Sequence, residues 1–105
     1  MKPGYVYILS NKNRTTFYTG VTNDIERRIA EHKTGIGSVF TKKYNCHDLM
    51  YYEYFESIVD AIHREKVLKK WKRSWKLELI KTMNENMDDL AFDWELPDVK
   101  NLYKS

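Results

Sequence analysis

Residues 4–33, GYVYILSNKNRTTFYTGVTNDIERRIAEHK, constrain the fold more than any other stretch. Residues 5–10 are β-branched and aromatic, which favours a strand. Residues 11–14, Asn-Lys-Asn-Arg, are a turn signal. Residues 15–21 form the second strand, and Gly20 near its end marks a bulge or a close backbone approach. The two runs make an antiparallel hairpin. A four-residue loop, 11–14, would set Tyr7 opposite Tyr18 on one face; a five-residue loop would change that register. A helix follows. Asn23 can cap it, and Glu26 sits three residues on, as in a capping box. Ile25 and Ile29 form its buried edge, while Arg28 and His32, four apart, project together from one side. It ends before residues 34–38, a Gly-containing flexible loop.

The remaining elements can be read as cover for that unit. Residues 49–55, LMYYEYF, are a third strand whose unbroken apolar and aromatic character predicts a central place in the sheet. Ser57-Ile58-Val59-Asp60 has the capping-box pattern and opens a helix running to about residue 70. Ser74 is the expected cap of a further helix through residue 83. Beyond it Leu90, Phe92, Trp94 and Leu96 alternate, as in a fourth strand or an irregular arm packed on the body; Pro97 argues against a long central strand. At 105 residues the chain is one domain by size.

Charge is unevenly placed. Residues 63–81 hold eight Lys/Arg against two Glu, and residues 84–105 hold six acids against two Lys. The basic block suggests a phosphate-rich partner or a solvated helix face. No apolar run approaches a membrane span, and the N-terminus reads as a strand rather than a signal peptide. The single Cys46 cannot form an internal disulfide and is read as structural, so a reducing, cytoplasmic setting is expected.

Glu65 is the most informative residue on physical grounds. Ile58, Ala61, Ile62 and Leu68 form a helical stripe, and Glu65 falls on it. A carboxylate there is costly unless it pairs, reaches solvent at the stripe edge, or holds a cation. Mg²⁺ often takes only one or two protein carboxylates, with water and phosphate oxygens completing its shell. Arg28 and His32 suit either plain surface or phosphate clamping and proton transfer. Tyr7 and Tyr18 suit packing, or acid–base work where a cation lowers a phenol's pKa. Lys66, Lys69, Lys70, Lys72, Arg73 and Lys76 interleave with Trp71 and Trp75, a pattern suited to phosphates and stacked bases, although the core is the favoured place for both tryptophans. Lys42 and Lys43 form a smaller basic pair.

Tyr5-Val6-Tyr7, then Tyr18-Thr19-Gly20, then Arg28 ten residues past Tyr18, resembles the GIY-YIG nuclease domain. More narrowly, YTGVTNDIERRIAEH, a Gly loop, TKKYN, a YYE strand and an REKVLKKWKR helix resemble the small stand-alone bacterial GIY-YIG proteins, over about residues 4–84. Tyr5 and Thr19 stand where the motifs often have Gly and Ile or Val. The resemblance implies the α+β class, a small three-stranded antiparallel sheet flanked by helices in residues 1–84, with 85–105 an acidic extension packed on or trailing from it. It further implies Mg²⁺- or Mn²⁺-dependent phosphodiester hydrolysis of DNA, in repair or processing, with targeting by the domain's own basic surface or by a protein partner. By position, Tyr7, Tyr18, Arg28, His32 and Glu65 match catalytic positions, Glu65 as metal ligand, with Gly20 in the second motif. Lys42, Lys43, Lys69, Lys70, Lys72 and Arg73 are the expected nucleic-acid contacts, and Asn84 loosely matches a late family asparagine. A non-catalytic nucleic-acid-binding module using the basic helix, or a protein-interaction domain docking through its tail, are the alternatives.

Overall fold

The computed structural model describes residues 2–100. The elements are β1 (Gly4–Ser10), β2 (Phe17–Thr22), α1 (Ile25–Lys33), α2 (Val39–Tyr44), β3 (Asp48–Phe55), α3 (Ile58–Lys69) and α4 (Arg73–Met83). The strands form one antiparallel sheet in the order β2-β1-β3. Among the described residues no helix is long and apolar enough to cross a membrane.

The central strand is β1, not β3. Burial on both faces does not require a strand on both edges. Leu49 packs in the cluster of Tyr7, Leu9, Ile25 and Ile29, and Met50 and Tyr51 in the cluster of Ile8 and Ile80. The register shifts by one between Ile8, opposite Tyr51, and Leu9, opposite Leu49. A bulge of this kind lets two consecutive residues serve one face. Alternation along β1 divides the core: Tyr7 and Leu9 look toward α1, while Val6 meets Ala61 and Leu68 of α3, and Ile8 meets Ile80 of α4. Each fully buried aliphatic chain contributes roughly 1.5–3 kcal/mol through lost water contact.

The hairpin loop is longer than its turn signal. Asn11 Oδ1 accepts from the backbone N–H groups of Thr15 and Thr16, and Arg14 is left-handed at φ 58°. Those amides are therefore unavailable to the ladder, and β2 begins at Phe17. Tyr7 sits opposite Gly20 and Tyr18 opposite Leu9, so the two tyrosines are diagonal neighbours on one face.

Three helix starts also differ. Asp24, not Asn23, caps α1 by accepting from Arg27 N. Ser57 occupies the N-cap of α3 without a side-chain hydrogen bond; Ile58 N donates instead to Lys2 O at 2.8 Å. α4 begins one residue before Ser74, because Arg73 reaches the carbonyls of Arg14 and Thr15 at 2.9 and 2.6 Å and fixes the first turn on the hairpin. α2 follows directly on the 34–38 loop, in residues to which the sequence pattern assigned no element. Ser38 caps it from below, Asn45 ends it at φ 56°, and Thr41 is its one buried residue.

Past Asn84 there is no fourth strand in the described residues; the segment is an arm of turns. Asp89 accepts from Leu49 N, Leu90 N donates to Leu49 O, and Lys33 Nζ meets Asp89 at 2.5 Å. Trp94 packs edge-on against Tyr52. These contacts cover the start of an edge strand that would otherwise present open backbone groups. Residues 101–105 of the expected extension lie outside the described residues.

Candidate active site

β1, β2 and α1 bring Tyr7, Tyr18, Arg28 and His32 together, and α2 closes the group from a direction the sequence did not reveal. Gly20 makes the assembly sterically feasible. A Cβ there would stand 2.5 Å from Tyr7 Cζ and Oη and 2.9 Å from Tyr18 Cε2. The close approach expected at this glycine is thus an approach of two rings. Gly37 plays the same part for His32, whose Nδ1 would lie 2.2 Å from an added Cβ.

Hydrogen bonds order the group. Tyr7 Oη lies 2.9 Å from His32 Nε2, and Arg28 Nε donates to Tyr7 Oη at 3.4 Å. His32 Nδ1 lies 3.0 Å from Thr41 Oγ1, which itself donates to Ser38 O at 3.1 Å. Because the Thr41 proton is committed to that carbonyl, its oxygen accepts from His32 Nδ1–H. His32 Nε2 is then the acceptor for the Tyr7 proton. One chain runs Arg28 to Tyr7 to His32 to Thr41 to Ser38, each donor facing an acceptor.

Burial sets the titration of this chain. His32 is 1% exposed. Desolvation first, and the Arg28 charge second, push its pKa down to about 4, so the ring is neutral at pH 7. Desolvation drives the Tyr7 phenol well above its ordinary range despite the Arg28 hydrogen bond. Burial works against the Arg28 cation, but its bonds to Tyr7 and Glu31 outweigh that and raise its pKa. Glu31, 7% exposed, holds Arg28 Nη1 at 3.1 Å. Glu31 and Thr41 escaped notice in the sequence; the spacings Arg28 to Glu31 and Ser38 to Thr41 were the available signals.

Tyr18 differs from Tyr7. It is half-buried, its ring lies 6.3 Å from Tyr7 and 5.8 Å from His32, and its hydroxyl has no hydrogen-bond partner among the described residues. The Tyr7 hydroxyl is engaged by His32 and Arg28, whereas that of Tyr18 is unengaged among the described residues.

Glu65 is not hydrogen-bonded into this group. It lies on α3, which packs on the opposite face of β1 and on β2. Its side chain is 13% exposed, with Lys69 Nζ at 3.5 Å. The preceding residue, Arg64, grips Glu53 of β3 with two bonds of 2.9 and 3.0 Å, which fixes the rotation of α3 and hence the side from which Glu65 projects. Thr19, on the α3 face of β2, is 4% exposed and its hydroxyl lacks a partner among the described residues. Among the described residues no three His, Cys, Asp or Glu side chains cluster to hold a metal. Glu31 is taken up by Arg28, which leaves Glu65 as the candidate carboxylate, and a single carboxylate suits a hard, mostly hydrated divalent cation rather than a closed zinc cage.

The other expected contacts divide. Lys42, Lys43, Lys70 and Lys72 are exposed, whereas Arg73 is held by the hairpin carbonyls and lies 4.9 Å from the Phe17 ring. Lys69 is paired with Glu65. Trp71 packs against the Val6 cluster, as favoured, but Trp75 is 48% exposed. Asn84 is buried and bonds Met50 O and the Asp88 backbone, a structural task. Cys46 is fully buried, and burial raises its thiol pKa.

The GIY-YIG catalytic domain family matches residues 3–78. A UPF0213 protein of Clostridium perfringens is 43% identical over 76 residues, covering 72% of this chain and 81% of its own. One from Syntrophus aciditrophicus is 40% identical over 88 residues, covering 83% of this chain and all of its own. The solution NMR structure of a UPF0213 protein from Bacillus halodurans superposes with a TM-score of 0.53 at 29% identity, over 87% of this chain and 97% of that one.

Proposed function

This chain belongs to the GIY-YIG domain family, and from that premise we propose that it is a divalent-metal-dependent endonuclease hydrolysing phosphodiester bonds in DNA, in repair or processing. The observation that carries this reading is the closed Arg28–Tyr7–His32–Thr41 chain with the unengaged Tyr18 hydroxyl beside it. Such order around one free phenol and one oriented guanidinium exceeds what packing requires.

In this mechanism Tyr18 orients the attacking water and takes its proton as general base. Tyr7 is too buried and too reluctant to ionise for that task. With neutral His32 it holds Arg28, whose remaining N–H groups face the phosphate and stabilise charge on the pentacovalent centre. Glu65 is the residue that would hold Mg²⁺ or Mn²⁺, which when bound supplies Lewis-acid polarisation of the phosphate and stabilises the leaving 3′ oxygen. β2 is an edge strand with Tyr18 on one face and α3 packed on the other, so this reading requires the scissile phosphodiester to span that edge.

Plasmid nicking in Mg²⁺ or Mn²⁺, against an EDTA control, tests this. Tyr18→Phe and Glu65→Ala are each expected to lower the rate by about 10²–10⁴-fold. Cleavage that survives both substitutions sinks the assignment. The exposed Lys70 and Lys72 favour, as the second reading, a binding module without catalysis. It predicts steeply salt-dependent DNA binding and no metal-dependent cutting.

A further inference from the structure

We propose that the outer side of α2 is a stacking platform for unpaired nucleobases, with Lys42 and Lys43 taking the flanking phosphates. This rests on the nucleic-acid reading of the adjoining site and specifies the form of substrate that site receives. Three rings run outward from it: Tyr18 to Phe40 at 5.8 Å and 30°, then Phe40 to Tyr44 at 4.6 Å and 43°. Phe40 and Tyr44 are 40% and 42% exposed, and Ile36 and Val39 beside them are 40% and 86% exposed. So many apolar side chains left in water on nine consecutive residues need an occupant.

Charge identifies that occupant. Lys42 and Lys43 are exposed and have no carboxylate partner among the described residues, unlike Lys33 with Asp89 and Lys69 with Glu65. Lys43 Nζ lies 5.4 Å from the Tyr44 ring. Free ammonium groups among exposed rings complement a chain of phosphates and bases. Within a duplex the base faces are covered by their neighbours, so only unpaired bases can extend a run of rings. Trp71 and Trp75 are poorer for this purpose. They cross at 90°, and Trp71, between α3 and α4, and Trp75, on α4, lie on the sheet face away from Tyr18.

Fluorescence anisotropy in EDTA, where nothing is cut, tests the platform with a labelled oligo-dT and a labelled blunt duplex. Phe40→Ala and Tyr44→Ala are each expected to weaken oligo-dT binding about 5- to 100-fold while changing duplex binding less than about two-fold. Phe40→Leu keeps the bulk without the ring and is expected to weaken oligo-dT binding too. Tyr44→Ala leaves the Phe40–Tyr18 contact in place, and thermal melting of each variant checks the fold. Lys42→Gln and Lys43→Gln are expected to reduce the salt slope for oligo-dT by about 0.7 each. Unchanged oligo-dT affinity in the ring variants, an equal loss on duplex, or no wild-type binding overturns the platform. Ring-dependent binding without metal-dependent nicking would instead sink the nuclease reading and leave the platform standing.

Discussion

Val6 and Tyr7 are adjacent in β1 and both are buried, yet they face different chemistry. Val6 meets Ala61 and Leu68, and outside that apolar layer Lys66 and Lys70 are exposed while Arg64 and Lys69 pair with Glu53 and Glu65. Tyr7 meets a histidine, an arginine and, through them, a threonine and a glutamate. An apolar face tolerates exchange of one aliphatic chain for another at a cost usually below about 1.5 kcal/mol, because attraction there is non-directional. A face of donors and acceptors does not, since each lost partner leaves a buried group unsatisfied at about 1–3 kcal/mol. The basic helices are therefore the adjustable side of this molecule, and the tyrosine face the fixed one.

Gly20→Ala is the severest test of that contrast. The added methyl collides with a Tyr7 ring that its hydrogen bonds prevent from moving, so a loss of about 3 kcal/mol or more is expected in urea denaturation. Near-wild-type stability would show that the tyrosine face repacks as freely as the other.

The pH dependence of stability comes next. A histidine whose folded pKa lies near 4 is favoured neutral in the fold, so its contribution is complete above the unfolded value of about 6.5 and is lost as pH falls toward 4. Denaturation at pH 7 and pH 4.5 is expected to show a wild-type loss exceeding that of His32→Asn, by up to ~3 kcal/mol. Equal losses would remove His32 from the account.

Thr41 and Thr19 sharpen the comparison at smaller scale, as hydroxyls on opposite faces. Thr41→Val removes the acceptor that fixes the His32 tautomer and is expected to cost about 1–2 kcal/mol, with Thr41→Ser restoring it. Nitrogen-15 NMR of the His32 ring reads the tautomer directly, and an unchanged Nδ1–H form in Thr41→Val refutes the chain. Thr19→Val should instead stabilise by about 0.5–1 kcal/mol, because it deletes a buried hydroxyl that has no partner among the described residues. Destabilisation by this substitution, seen in thermal melting, would mean that the Thr19 hydroxyl is satisfied by a bound water or ion.

Periodicity and residue type made all three strands and α1, α3 and α4 legible, since each carries enough apolar pattern to declare its own type. They also marked Tyr7, Tyr18, Arg28, His32 and Glu65 as an ordered set, and Gly20 as a point of close approach. The position of β1 between its neighbours was not legible, because two-sided burial looks the same in a central strand and in an edge strand covered by helices and an arm. Nor was the hairpin register, which turns on where one asparagine side chain sends its hydrogen bonds. Composition decided which residues could carry charge, hydrogen bonds or aromatic surface. Tertiary structure decided which of two similar phenols is locked and which is free, because burial and the company of His32 and Arg28 depend on elements far apart in the chain. It also built α2, six residues too short to announce themselves, whose Thr41 completes the buried chain and whose Phe40 continues the ring of Tyr18 into solvent.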